Sequence, residues 1–117
     1  MRNKLSVIEK ILHVFKEIGS EIPIQQMLLL VAVAQNQGRT MPELQESLGM
    51  PQGTLSRNVK ALGVYLVPDP DNPQQKKKDG YDLLITRPDL ENRKSLAVYL
   101  SSRGEEVIAQ LKSVVPA

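Results

Sequence analysis

No cysteine and no tryptophan occur in the 117 residues, and there are only one phenylalanine, three tyrosines and one histidine. The missing cysteines exclude disulfides, thiolate catalysis, thiol redox sensing and cysteine-held zinc. With His13 alone, a zinc site would have to rest on carboxylates, so no metal is expected. His13 itself reads as a partly buried helix residue, or at most a dimer-interface group, without chemistry. Phe15, Tyr65, Tyr81 and Tyr99 do not fall at a spacing that builds a stacking platform, which speaks against single-strand binding. Long apolar runs are missing too. The longest, Met27 to Ala34, has eight residues, against about twenty for a membrane span. The N-terminal "MRNKLSVIEKILHVF" interleaves charges with apolar residues, unlike a signal peptide. These absences predict a cytoplasmic protein with no membrane partner. Nothing pairs a nucleophile with a base, cradles phosphate on a glycine loop or sets two carboxylates in a cleft. No enzyme and no cofactor are expected. Net charge is also scarce: +2, with a pI near 9.0. That is a mild lean towards polyanions, so the distribution of charge must decide.

What is present is helical periodicity. Over Asn3 to Ile18, Leu5, Ile8, Leu12 and Phe15 form one apolar stripe, and Val7, Ile11, Val14 and Ile18 form a second beside it. Such a face is broader than one neighbour needs. A second helix starts at Pro23 and runs to near Gly38; apolar almost all round, it reads as a buried central helix. Thr40-Met41-Pro42-Glu43 fits a capping box, opening a third helix over Met41 to Leu48. Gly49 is the left-handed residue after its last turn. A fourth helix spans Gln52 to Leu62, closed by Gly63. Two short helices about a glycine-containing turn form the helix-turn-helix signature.

After Gly63 the period changes. "VYLV" is β-prone, "PDPDNPQQKKKDG" reads as a loop, and "YDLLIT" (81–86) and "SLAVYLS" (95–101) read as strands about the turn "RPDLENRK". "VPDPDN" and "RPDLEN" echo one another, which leaves two candidate hairpins. A last helix runs from Ser102 to Val115. Helices, a helix-turn-helix and then a hairpin is the order of a winged helix.

Leu55, Val59 and Leu62 set the buried face of the fourth helix, leaving Gln52, Thr54, Ser56, Arg57 and Lys60 outside it. Arginine can bond both guanine acceptors and glutamine an adenine edge, each worth about 1–3 kcal/mol of discrimination; hydroxyls suit phosphates. The bland alternative is the solvated face of a core helix. Arg87, Arg93 and Lys94 cluster about the acidic turn, either as a groove contact or as a charged tip that keeps an edge soluble. Lys76, Lys77 and Lys78 are candidate phosphate contacts or a merely solvated run. Leu5, Ile8, Leu12 and Phe15, with Ile108 and Leu111, offer more apolar surface than one small core consumes and are candidates for a dimer interface. A homodimer would present two reading helices to half-sites about one DNA turn apart.

Three stretches resemble the MarR (multiple antibiotic resistance regulator) family of winged-helix transcription factors. "MPELQESLGMPQGTLSRNVKALG" is similar to that family's two-helix reader, with its T-L-S-R run at Thr54 to Arg57. "RPDLENRKSLAVYLSSRGEEV" is similar to its wing, and "IPIQQMLLLVAVAQNQG" takes the place of its central helix. The resemblance implies an α+β fold, mainly helical with a small β wing and dimerising helices at both ends. The chain 1–117 would be one domain, with 1–37 and 102–117 as dimerisation and core helices and 38–101 as helix-turn-helix plus wing. It implies a homodimeric regulator of transcription, most often a repressor, on a palindromic double-stranded operator, with Arg93 entering the minor groove. Three departures stand out. Pro51 replaces the polar cap, residues 63–79 are extra, and the C-terminal part is short. Many relatives release DNA on binding a small effector; no pattern here names one, and binding without an effector is expected. The rival readings are an architectural or replication DNA-binding protein of a plasmid or virus, and a module for protein–protein contact.

Overall fold

The computed structural model describes residues 3–116; the outermost residues of the expected 1–37 and 102–117 segments lie outside that range. Asn3 caps α1 (Lys4–Ile18), its side chain accepting from the Leu5 N–H at 2.9 Å. The broad apolar face of α1 is divided between two tasks. Ile11, Val14 and Ile18 of the second stripe pack on the core, whereas Leu5, Ile8 and Leu12 stand 71%, 51% and 54% exposed. Phe15, expected with the outward stripe, is buried in the core, and α1 packs on α5 (Ser102–Val114).

Helix α2 (Ile24–Gln35) lies at the centre, against α4, α5 and β4, burying Leu29, Leu30 and Val33. It is not buried all round, as its composition suggested: Ile24, Leu28 and Val31 make an exposed line at helical spacing. Pro23 is its cap rather than its first residue. Between α2 and α3 (Met41–Leu48), residues 38–40 run along one edge of strand β4. Gly38 donates to the Val98 carbonyl at 2.9 Å, Val98 donates to the Arg39 carbonyl at 3.0 Å, and Thr40 bridges Ala97. Thr40 also caps α3. Its hydroxyl accepts from the Glu43 N–H, and the Glu43 carboxylate accepts from both the backbone N–H and the hydroxyl of Thr40. Those bonds, the backbone one first, then the hydroxyl, with the Arg39 charge adding to them, hold Glu43 below the ordinary 4.5.

Gly49 adopts the left-handed conformation at φ 63°, turning the chain into α4 (Gln52–Leu62). Two antiparallel hairpins follow: β1 (Tyr65–Pro68) with β2 (Lys76–Asp79), and β3 (Leu84–Pro88) with β4 (Leu96–Leu100). The lysine run expected in a loop is therefore a strand, with Lys76, Lys77 and Lys78 opposite Pro68, Val67 and Leu66. Strand β3 starts later than expected, because Tyr81, Asp82 and Leu83 are used elsewhere. Their N–H groups donate to the carbonyls of Ala61, Gly63 and Leu62, tying the chain back to the end of α4. Ser101 caps α5: its hydroxyl accepts from the Gly104 N–H at 2.9 Å. Gly104 is third in the helix, where a side chain would collide with the Leu83 carbonyl.

Candidate nucleic-acid interface

Helix α4 is seated by Leu55, Val59 and Leu62, and by one polar residue that the periodicity did not single out. Asn58 is buried, and its side chain meets two glutamines of α2. The Gln26 amide donates to Asn58 at 3.4 Å, and Asn58 donates to Gln25 at 3.4 Å. A buried amide is costly unless bonded, so this contact fixes the roll of α4 on its support. The only sequence signal was negative: a polar residue falling on the apolar side of the helix.

With that roll fixed, Gln52, Ser56, Arg57 and Lys60 are exposed, and Thr54 is half-buried. Arg57 folds back along the helix, one guanidinium nitrogen lying 3.4 Å from where a Cβ on Gly53 would stand. Pro51 caps α4 through its backbone alone, without a side-chain bond. Lys60 sits over the ring of Tyr65, the first residue of β1, with 5.1 Å from ammonium to ring centre. A lysine at this distance has a cation–π attraction to the ring, so Lys60 couples the helix to the first hairpin.

The wing is β3–β4. Its register places Arg87 opposite Ala97 and Pro88 opposite Leu96. Arg87, Arg93 and Lys94 are all exposed around its tip. The Asp89 carboxylate accepts from the Asn92 backbone N–H at 3.1 Å, and among the described residues no ion pair joins it to Arg93. Asp89 thus shapes the turn, and Arg93 projects without a tether. A cleft of about 500 Å3 separates α4 from the wing sheet, lined by Ser56 and Lys60 on one side and by Thr86 and Leu96 on the other. The sheet itself is locked to the base of the helix-turn-helix through residues 38–40, so α4 and the wing hold a fixed relation.

Of the other candidates, Lys76, Lys77 and Lys78 are consecutive, exposed residues of β2, whose partner strand β1 begins with the Tyr65 that lies under Lys60. Among the residues suggested for an interface between protomers, Leu5, Ile8 and Leu12 are open. Ile108 is half-buried, and Phe15 and Leu111 belong to the protomer's own core. Phe15 and Leu111 do line the floor of an open apolar cleft of about 730 Å3, whose walls are Ile11, Val31, Ala34 and Ile108. His13 is exposed, not partly buried as expected. Two structural arginines went unsuspected. Arg39 donates to the Ala32 carbonyl and, at 3.0 Å, to the Ser47 hydroxyl, while Arg103 donates to the Tyr81 carbonyl. Among the described residues no helix is long and apolar enough to cross a membrane.

No protein-family model and no curated protein matches the chain. Solved structures do. A MarR transcriptional regulator from Methanosarcina mazei Go1 superposes with a TM-score of 0.60 at 18% identity, over 95% of this chain and 75% of that one. A crystal structure of MarR gives 0.59 at 20% identity, over 93% and 72% of the two chains. The apo form of MarR from E. coli gives 0.52 at 20% identity, over 94% and 71%. At these identities the likeness is one of fold: the chain is a MarR-like winged helix.

Proposed function

We propose that this winged helix is a sequence-specific, double-stranded DNA-binding regulator of transcription, acting as a homodimeric repressor on a palindromic site. The observation that carries the reading is the fixed pairing of two exposed basic elements. One is α4 with Gln52, Thr54, Ser56, Arg57 and Lys60; the other is the wing with Arg87, Arg93 and Lys94, joined to it through the bridge from Thr40 to Ala97. Helix α4 enters the major groove, where Arg57 and Gln52 meet base edges. The first turn, which has no side-chain cap, leaves backbone N–H groups for a phosphate oxygen. Arg93, untethered at the wing tip, enters the adjacent minor groove, where a narrow A·T-rich stretch concentrates negative potential. The solved structures of similar fold are named as MarR transcriptional regulators, which supports the same reading.

The dimer rests on apolar surface that one protomer leaves open. Leu5, Ile8 and Leu12 on α1 and Ile24, Leu28 and Val31 on α2 are exposed, and the cleft floored by Phe15 and Leu111 opens nearby. Exposed apolar surface of this extent marks an interaction site, and a two-fold pairing sets two copies of α4 on half-sites about one helical turn apart.

Selection from random-sequence duplexes by wild type, Arg57→Ala and Arg93→Ala tests this reading. A two-fold palindrome should be enriched, Arg57→Ala should relax one base position, and Arg93→Ala should weaken binding at A·T-rich flanks. Binding with no enriched motif would assign the protein to DNA architecture instead. No binding even at low salt would leave a protein-contact module.

A further inference from the structure

The two hairpins are built on the same turn. Pro68-Asp69 and Pro88-Asp89 each enter a seven-residue tip with an asparagine in its fourth place, Asn72 and Asn92. In one, Asp69 donates to the Gln75 carbonyl at 3.0 Å and Gln75 to the Asn72 carbonyl at 2.9 Å. In the other, Asp89 donates to the Ser95 carbonyl at 2.9 Å and Ser95 to the Asn92 carbonyl at 2.9 Å. The asparagine side chains repeat as well, accepting from Gln74 N–H at 3.3 Å and from Lys94 N–H at 3.2 Å. The residues these tips display differ. Where the wing shows Arg93 and Lys94, the first hairpin shows Pro73 and Gln74, and its cations lie on the strand instead, at Lys76, Lys77 and Lys78.

The first hairpin is also placed beside the reading helix. It leaves and rejoins the fold at one point, where Asp82 donates to the Gly63 carbonyl at 3.1 Å and Gly80 packs against that same carbonyl. Cross-strand neighbours share a face, so Tyr65, Val67, Lys77 and Asp79 lie on one side and Leu66, Pro68, Lys76 and Lys78 on the other. The first side is the one carrying the Tyr65 ring under Lys60, and Tyr65 with Arg57 and Lys60 lines a single small cleft. Lys60 and Lys77 therefore lie on the same side of the hairpin, together with the Asp79 carboxylate opposite Tyr65. The three lysines are exposed and make no ion pair among the described residues.

We propose that β1–β2 is a second wing that grips phosphates, carrying the contact of this protein with duplex DNA past the end of α4. The inference rests on the DNA-binding reading above and adds to it a separate element with separate chemistry. A tip with proline and glutamine in place of arginine and lysine lacks the planar guanidinium that reads a minor groove. Lysines on a strand supply point charges that hold phosphate without regard to base. Lys77 faces the strand that flanks the groove occupied by α4, and Lys76 and Lys78, on the other face of the hairpin, add their charge to the same grip. The same turn thus serves two tasks, reading at the wing and gripping at the second hairpin.

The test compares full-length wild type, Arg57→Ala, Lys77→Gln and Lys76→Gln/Lys77→Gln/Lys78→Gln on the best duplex from the selection and on a scrambled duplex, over a range of salt. The triple variant should lose roughly tenfold or more in affinity on both duplexes, and its plot of log K against log salt should be shallower by about 1–3, at about 0.9 per phosphate released. Lys77→Gln alone should flatten it by about one. Hydroxyl-radical footprints should lose protection at the edge nearest the end of α4, with the selected sequence unchanged. Arg57→Ala should show the opposite pattern, altered sequence preference and an almost unchanged slope. If wild type binds duplex and the lysine variants keep its slope and footprint, the second wing is overturned while the DNA-binding reading stands. Wild type failing to bind either duplex at low salt would overturn both.

Discussion

A Cβ on Gly80 would collide with the carbonyl oxygen of Gly63, and Gly80 holds φ at +100°. Two residues so far apart in sequence close the neck of the first hairpin, where only a glycine has both the space and the backbone freedom. Gly80→Ala should therefore be costly twice over. The positive φ alone costs about 1–2 kcal/mol, and displacing the Gly63 carbonyl adds to it. Gly49→Ala makes the comparison: φ is +63° but nothing stands within 4 Å of its Cβ, so only the cost of the left-handed backbone applies. Denaturant unfolding should rank Gly80→Ala below Gly49→Ala and both below wild type; equal losses would show that the neck is not closed as described.

The capping box gives a pH dependence. Glu43 titrates below its ordinary 4.5 because its carboxylate accepts from Thr40. A carboxyl whose folded value is lowered stabilises the fold above its unfolded value, and that contribution is lost as pH falls through the folded value. Glutamine can still close the box, so Glu43→Gln isolates the charge. Thermal unfolding should show wild type ahead of Glu43→Gln at neutral pH, with the margin kept down to about 4.5 and vanishing under more acid conditions. A margin that grew on acidification would refute this.

On α1, two residues one helical turn apart should behave in opposite ways. Leu12 is exposed, so in the proposed homodimer Leu12→Lys should leave the protomer folded while raising the dissociation constant by roughly a hundredfold, as expected when a charge must be desolvated at an apolar contact. Phe15 is buried, and Phe15→Ala should cost about 3–5 kcal/mol of folding stability. Sedimentation and circular dichroism separate the two. Unchanged self-association in Leu12→Lys would remove α1 from the interface.

Asn58 should act through Gln26. Replacing it with alanine leaves a buried amide without a partner, at a cost of about 1–3 kcal/mol, whereas the pair Asn58→Leu/Gln26→Leu should recover part of that loss. A double-mutant cycle by chemical denaturation reads the coupling, and strictly additive losses would mean the two amides do not support one another.

The helices were legible because their signals are local. The Thr40–Glu43 box, Gly49 and the Leu55, Val59, Leu62 spacing predicted α3 and α4 at the bounds they adopt. Strand β2 was not, since three consecutive lysines have neither alternation nor β-propensity. Its pairing is imposed from outside, by the neck at Gly63 and Gly80 and by the turn at Asn72. Asn58 and Phe15 illustrate a second limit. Periodicity shows that a face is apolar, but it does not say which neighbour claims each residue on that face. Placing Arg93 and Lys77 likewise required the two hairpins, whose shared turn the echo of "VPDPDN" in "RPDLEN" already hinted at.

The hydrogen bonds between residues 38–40 and β4, and the packing of α1 on α5, have a consequence for how the chain matures on the ribosome. The turns and caps within helices α1 to α4 rest on short-range contacts that form quickly. The edge that Arg39 offers to Val98, and the surface that Phe15 offers to α5, wait for segments made last. During synthesis α4 and the α2 amides that seat it are therefore complete before the wing is fixed beside them. A nascent chain halted ahead of β4 would carry the basic face of α4 without a wing held beside it, and on the proposed reading could attract a polyanion but not yet discriminate among sequences.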